Sequence, residues 1–156
     1  MKYFYIQGED IPYNLNFVIN CSFDYFVKYL RIKLKDKTIE LKDDFLDGLY
    51  IALENNEMKQ YSRWIWIKYF DWKIQDQTII VHEMIHATMA ILDFKQIPIS
   101  KENEETFAYF YQSMMTKVWW KLKKLYPKKY VLRRVLTAKS HSKVRRRDKK
   151  RKTKSA

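Results

Sequence analysis

The chain has 156 residues, 47% hydrophobic and 17% aromatic, with only two glycines and three prolines; this is enough for one core and excludes a disordered or loop-dominated body. Its single cysteine, Cys21, excludes an internal disulfide framework and a cysteine-based zinc ribbon, and no apolar run approaches the roughly 20 residues of a membrane-spanning helix. The net charge of +13 is unevenly spread: of 31 basic and 18 acidic residues, 14 and one lie from Lys128 onward, which leaves 17 of each in residues 1–127.

The opening MKYFYIQ reads as a short strand broken at Gly8. The segment after it turns acidic and polar instead of forming a basic-then-apolar leader, so a soluble, cytoplasmic protein is expected. In SFDYFVKYLRIKLK (22–35), Phe23, Phe26, Tyr29 and Leu30 recur at three- and four-residue spacing. With Ser22 as N-cap, this predicts an amphipathic helix. LYIALE (49–54) and RWIWIKYF (63–70) are rich in branched and aromatic residues and flank a polar NNEMKQYS, so they read as adjacent strands or a long hairpin.

DWKIQDQ then leads into TIIVHEMIHATMAIL (78–92), a helix with Asp76 as its expected N-cap and its end near Phe94. Pro98 marks a connector. A second long helix is expected from about Lys101 to Leu125, stopped by Pro127, with Trp119 and Trp120 packing it onto the sheet. Beyond it, KKYVLRRVL could add one more basic helix or strand, and the remainder to Ala156 reads as basic, low-complexity and disordered. The expected organisation is a body of residues 1–127 and a tail of residues 128–156.

His82, Glu83 and His86 form an H-E-x-x-H motif. Residues four apart share one helix face, so both imidazoles can bind one ion. Catalytic zinc takes three protein ligands and keeps one position for water. A glutamate directly after the first histidine is rotated off the ligand axis, where it can accept a proton from that water. Ile79, Ile80, Val81, Met84, Ile85, Ala87 and Met89 supply the uncharged flanks of a metal-bearing helix; the bland alternative is a core helix that happens to carry two histidines. Three carboxylates open the next helix. Folded back antiparallel, that helix can present Glu105 as a third ligand, with Glu102 and Glu104 as alternatives, although acids at a helix start are also favoured by its dipole.

TIIVHEMIHATMAILDFKQIPIS followed by NEETFAYFYQSMM, with Trp64-Ile65-Trp66 and Phe70-Asp71-Trp72 ahead of them, resembles the small zincin-like metallopeptidases encoded in phage genomes. The resemblance covers about residues 49–115. It implies a small α+β zincin-like domain, with a short mixed or antiparallel sheet packed on the H-E-x-x-H helix and a following ligand-bearing helix. It also implies Zn2+ held by His82, His86 and Glu105, Glu83 as general base, a peptide or protein substrate, and a host-cytoplasm location. Better-studied glutamate-ligand zincins often carry an acid one turn after the third ligand. Here that position is Tyr109, either a partner of the site or a packed aromatic. Asp93 and Asp71 are weaker candidates for supporting a ligand, and His141 in the tail is not expected to be one.

By the same resemblance RWIWIKYF is the sheet edge that lines the cleft and receives an extended substrate, unless its tryptophans are core. The tail, with 14 bases in 29 residues and Tyr130 as its one aromatic, fits non-specific contact with nucleic acid, an acidic protein or an anionic membrane. Three functions compete: a zinc metallopeptidase, a catalytically silent zinc-binding module of the same fold, and a nucleic-acid-binding protein acting through its tail.

Overall fold

The computed structural model describes residues 1–9, 11–42, 47–55 and 60–127. The expected tail, with His141 and the KKYVLRRVL segment, lies outside them. One compact unit spans Met1–Leu125. In chain order it consists of β1 (Lys2–Gln7), β2 (Asn14–Ile19), α1 (Phe23–Lys33), β3 (Gly48–Asn55), β4 (Gln60–Ile67), α2 (Ile74–Phe94) and α3 (Glu104–Leu125). A 3-10 turn, Lys101–Asn103, precedes α3.

The strands form one mixed sheet in the order β1-β2-β4-β3. β1 and β3 run antiparallel to their neighbours, whereas the central pair β2 and β4 is parallel, with Leu15 opposite Arg63 and Ile19 opposite Ile67. A parallel pair cannot be joined by a tight turn, and here the connection contains α1 and β3. The two central strands are covered on both faces, which explains their near-continuous apolar stretches Phe17-Val18-Ile19 and Trp64-Ile65-Trp66-Ile67.

Alternation assigns the faces. Val18, Trp64 and Trp66 pack with Phe23, Phe26, Val27 and Leu30 of α1, joined by Leu49, Ile51 and Leu53 of β3. The indole N–H of Trp66 donates to the Cys21 carbonyl at 3.1 Å, so this buried ring leaves no polar atom unmatched. On the opposite face, Phe17, Ile19, Ile65 and Ile67 are fully buried, as are Ile80, Met84, Ala87 and Ile91 of α2 and Met114, Val118 and Leu122 of α3. α2 packs on β3 and β4, and α3 on α2 and β1.

One sequence expectation changes at the entry to α2. Lys73, not Asp76, is the N-cap. Asp76 stands in the first turn and reaches back, its carboxylate accepting from the Asp71 amide at 2.7 Å and the Lys73 amide at 3.4 Å. It therefore satisfies donors at the helix start from inside the helix. The turn that makes this possible puts Trp72 at φ 59°, in the left-handed region that a bulky residue rarely occupies. Its ring is held between Phe70, 5.1 Å away edge-on, and Trp119, 6.1 Å away. Asn20, also left-handed at φ 61°, accepts from the Phe70 amide at 2.6 Å and ties this turn to the end of β2. Trp119 packs α3 on this turn, while Trp120 is exposed.

The edge expectation also changes. β4 is paired on both sides, and Trp64 and Trp66 are core; the edge beside α2 is β3. β4 is drawn inside because the apolar β2 pairs with it across a long sequence separation. Among the described residues no helix is long and apolar enough to cross a membrane.

Candidate metal centre

Ile80, Met84, Ala87 and Ile91 bury one side of α2 and thereby turn the H-E-x-x-H residues toward β3. His82 and His86 are exposed, one turn apart, with their rings at 80° and 4.7 Å between centroids. Their Nε2 atoms lie 3.1 Å apart. Two nitrogens each about 2.0–2.1 Å from a tetrahedral zinc ion are separated by about 3.3 Å, so the pair already has the spacing of two zinc ligands.

Glu83 is buried, only 7% exposed, between the histidines and the sheet edge. Its Oε2 accepts a 2.7 Å hydrogen bond from the backbone amide of Tyr50. The register explains the donor. Tyr50 lies opposite Ile65, and its amide points away from β4, so by alternation Gly48, Tyr50 and Ala52 turn their backbone polar groups toward the outer edge of β3. Gly48 makes the approach possible: a Cβ there would run into Cγ2 of Ile79 and stand 3.2 Å from Cγ of Glu83. Burial raises the Tyr50 phenol above its ordinary value, with the neighbouring Arg63 guanidinium opposing the shift.

Two adjoining clefts, about 730 and 800 Å³, meet at Gly48, His82 and Glu83. The first runs past His86 between an apolar wall of Leu49, Met89, Ile97, Pro98 and Ile99, with Asp93 at its side. The second is more polar, passing Asp47, Tyr69, Lys73 and Asp76. Together they make one groove along the outer edge of β3, with the H-E-x-x-H residues at its middle.

The other expected site residues lie elsewhere. Glu105 is exposed on the first turn of α3, and neither it, Glu102 nor Glu104 lines the groove. The Ser100 hydroxyl, followed by a backbone hydrogen bond, holds the Glu102 carboxyl below its ordinary value, in keeping with a role at the helix start. Tyr109 is 69% exposed, so it is not a packed aromatic, and it does not line the groove either. Asp71 contributes its backbone amide to Asp76 and stays outside the groove. Among the described residues, no group of three His, Cys, Asp or Glu side chains is assembled that could hold a metal ion. The structure brings together His82, His86 and Glu83, joined by Asp93 along the first cleft.

Gly48 and Tyr50 are site residues that sequence reasoning missed. The available signal was the glycine itself: one of only two in the chain, set at the start of an apolar strand, where it marks a close approach. Comparison with protein-family models, with curated proteins and with solved structures returns no match.

Proposed function

We propose that this chain is a zinc-dependent peptide hydrolase of the zincin kind. The observation that carries the reading is the 3.1 Å Nε2–Nε2 pair with Glu83 beside it, in a groove that follows an exposed strand edge. His82 and His86 hold the ion, and Glu105 is the third ligand assigned by the resemblance. When bound, zinc supplies a water acidified enough to attack a carbonyl near neutral pH. Glu83 takes the proton: the Tyr50 amide fixes Oε2, which leaves Oε1 to act as base. The outward backbone groups of β3 other than the Tyr50 amide, which Glu83 holds, pair with an extended peptide, and the apolar wall from Leu49 to Ile99 receives a side chain of that peptide.

The test has two arms. Elemental analysis of protein purified without added metal is expected to find about one zinc per chain. That zinc is expected to be lost in His86→Ala and reduced in Glu105→Ala. Glu83→Gln retains an acceptor for the Tyr50 amide, so it is expected to keep both fold and zinc while losing peptide hydrolysis. Wild type without zinc after reconstitution would end the proposal, and hydrolysis surviving in Glu83→Gln would end the role given to that residue.

A second reading rests on Glu105 and Tyr109 standing away from the groove. In it the histidine pair is catalytically silent and the chain works through its basic segment. It is favoured if zinc binds but Glu105→Ala leaves zinc content unchanged and no peptide is cleaved.

A further inference from the structure

A second concave surface lies between α3 and β1, distant in sequence from the H-E-x-x-H residues. It is a cavity of about 410 Å³ whose walls include Tyr5, Ile6, Thr116, Lys117, Trp120 and Lys121. Trp120 is 53% exposed and Tyr5 45%, so both rings are open to solvent. One ammonium joins them: Lys121 Nζ sits 5.7 Å from each ring centroid. Lys124 Nζ lies directly over the Trp120 ring at 3.6 Å. Lys117 Nζ, 6.0 Å from the Tyr13 ring, donates to the Gln7 carbonyl at 2.8 Å. Glu9 is the carboxylate among the lining residues.

Exposed rings alternating with cations suit one kind of polymer. A nucleobase stacks on an aromatic face whatever its identity, while the adjoining phosphates take up ammonium groups. Exposed cation–π contacts are weak, so Lys121 and Lys124 can exchange a ring for a phosphate at small cost. Duplex DNA hides its base faces within the stack and cannot use the rings. The charge also continues along the chain, since the segment with 14 basic residues begins at Lys128, three residues past the end of α3.

From this juxtaposition we propose that the Tyr5–Trp120–Lys121–Lys124 surface binds an unpaired nucleic-acid strand, with bases stacking on Trp120 and Tyr5 and phosphates on the lysines. The site is independent of the zinc reading. It supplies aromatic faces, of which the basic segment has one, Tyr130.

The test uses the full chain and a fluorescently labelled 15-nucleotide oligo-dT, with affinity read by anisotropy over a range of salt concentrations. Trp120→Leu is expected to weaken binding about five- to a hundredfold, the range for losing one stacked base. Trp120→Tyr is expected to recover most of it. Lys121→Gln with Lys124→Gln should flatten the slope of log K against log salt by about 1.4, the value for two phosphate contacts on a single strand. Trp120 is exposed, so none of these changes removes core. Wild-type affinity in Trp120→Leu would overturn the proposal, because the tail would then carry all binding. So would equal affinity for a 15-base-pair duplex, or a preference for anionic phosphatidylserine vesicles over the oligonucleotide.

Discussion

Replacing Gly48 with alanine is the most direct perturbation of the contact between the sheet edge and the H-E-x-x-H helix. In an open strand this substitution is expected to stabilise, by roughly 0.5–1 kcal/mol, because glycine loses the most backbone freedom on folding. Here the sign reverses. The new methyl runs into Cγ2 of Ile79 and stands 3.2 Å from Cγ of Glu83, and both belong to a helix whose other side is locked into the core by Ile80 and Met84. Overpacking of this kind costs about 1–3 kcal/mol. If β3 retreats to relieve it, the charge-assisted bond from the Tyr50 amide to Glu83 stretches as well, a contact in the class worth about 1.5–3 kcal/mol. A net loss of about 1–3 kcal/mol corresponds to a Tm lower by about 3–15 °C for a unit of this size.

Thermal unfolding followed by far-UV circular dichroism measures the shift, and a double-mutant cycle locates its cause. Ile79→Ala alone removes part of a half-buried side chain and is expected to be mildly destabilising. In the double variant Gly48→Ala with Ile79→Ala, the principal overlap is gone, so the two losses should fail to add by at least about 1 kcal/mol. Strictly additive losses, or a Gly48→Ala protein as stable as wild type, would refute the close approach as the reason for glycine here.

Trp66→Ala removes a fully buried ring packed edge-on to Phe23 at 5.3 Å and stacked near Phe26 at 6.1 Å. The expected cost of about 3–5 kcal/mol is a large share of a small domain's stability and should appear as a much lower urea midpoint. Tyr13 is buried, and its hydroxyl has no hydrogen-bond partner among the described residues, so Tyr13→Phe is expected to leave stability unchanged or raise it by up to about 1 kcal/mol. Burial pushes the Tyr13 phenol up from 10.0 to about 12. A raised folded value favours the protonated form; its contribution is complete below pH 10 and is lost as pH rises through about 12. Absorbance titration at alkaline pH should therefore show one phenol ionising late, and that late step should vanish in Tyr13→Phe.

Local signals carried much of this fold. α1 was legible because Phe23, Phe26 and Leu30 repeat at helical spacing, and Ser22 does cap it, its hydroxyl oxygen accepting from the Tyr25 amide at 3.3 Å. The hairpin of β3 and β4 and the C-terminal ends of both long helices were legible from equally local signals, whereas α2 starts earlier, at Ile74, and α3 later, at Glu104, than their sequence signals indicate. β2 escaped notice. Its Leu15-Asn16-Phe17-Val18-Ile19 follows a polar stretch and shows no clean alternation, because a central strand buried on both faces has no solvent side to mark it. The branched and aromatic run between Pro12 and Ser22 was the available signal.

Within the site, helical periodicity alone places His82 and His86 together, since their spacing is set by the 3.6-residue turn and needs no other part of the chain. Everything that surrounds them was decided by tertiary contacts. The parallel pairing of β2 with β4 sent β3 to the edge, and the bare Cα of Gly48 let that edge reach Glu83. The Tyr50 amide then found the carboxylate 33 positions away in sequence. Such contacts depend on the summed packing of the whole chain, so a sequence window contains the residues that make them but not their partners.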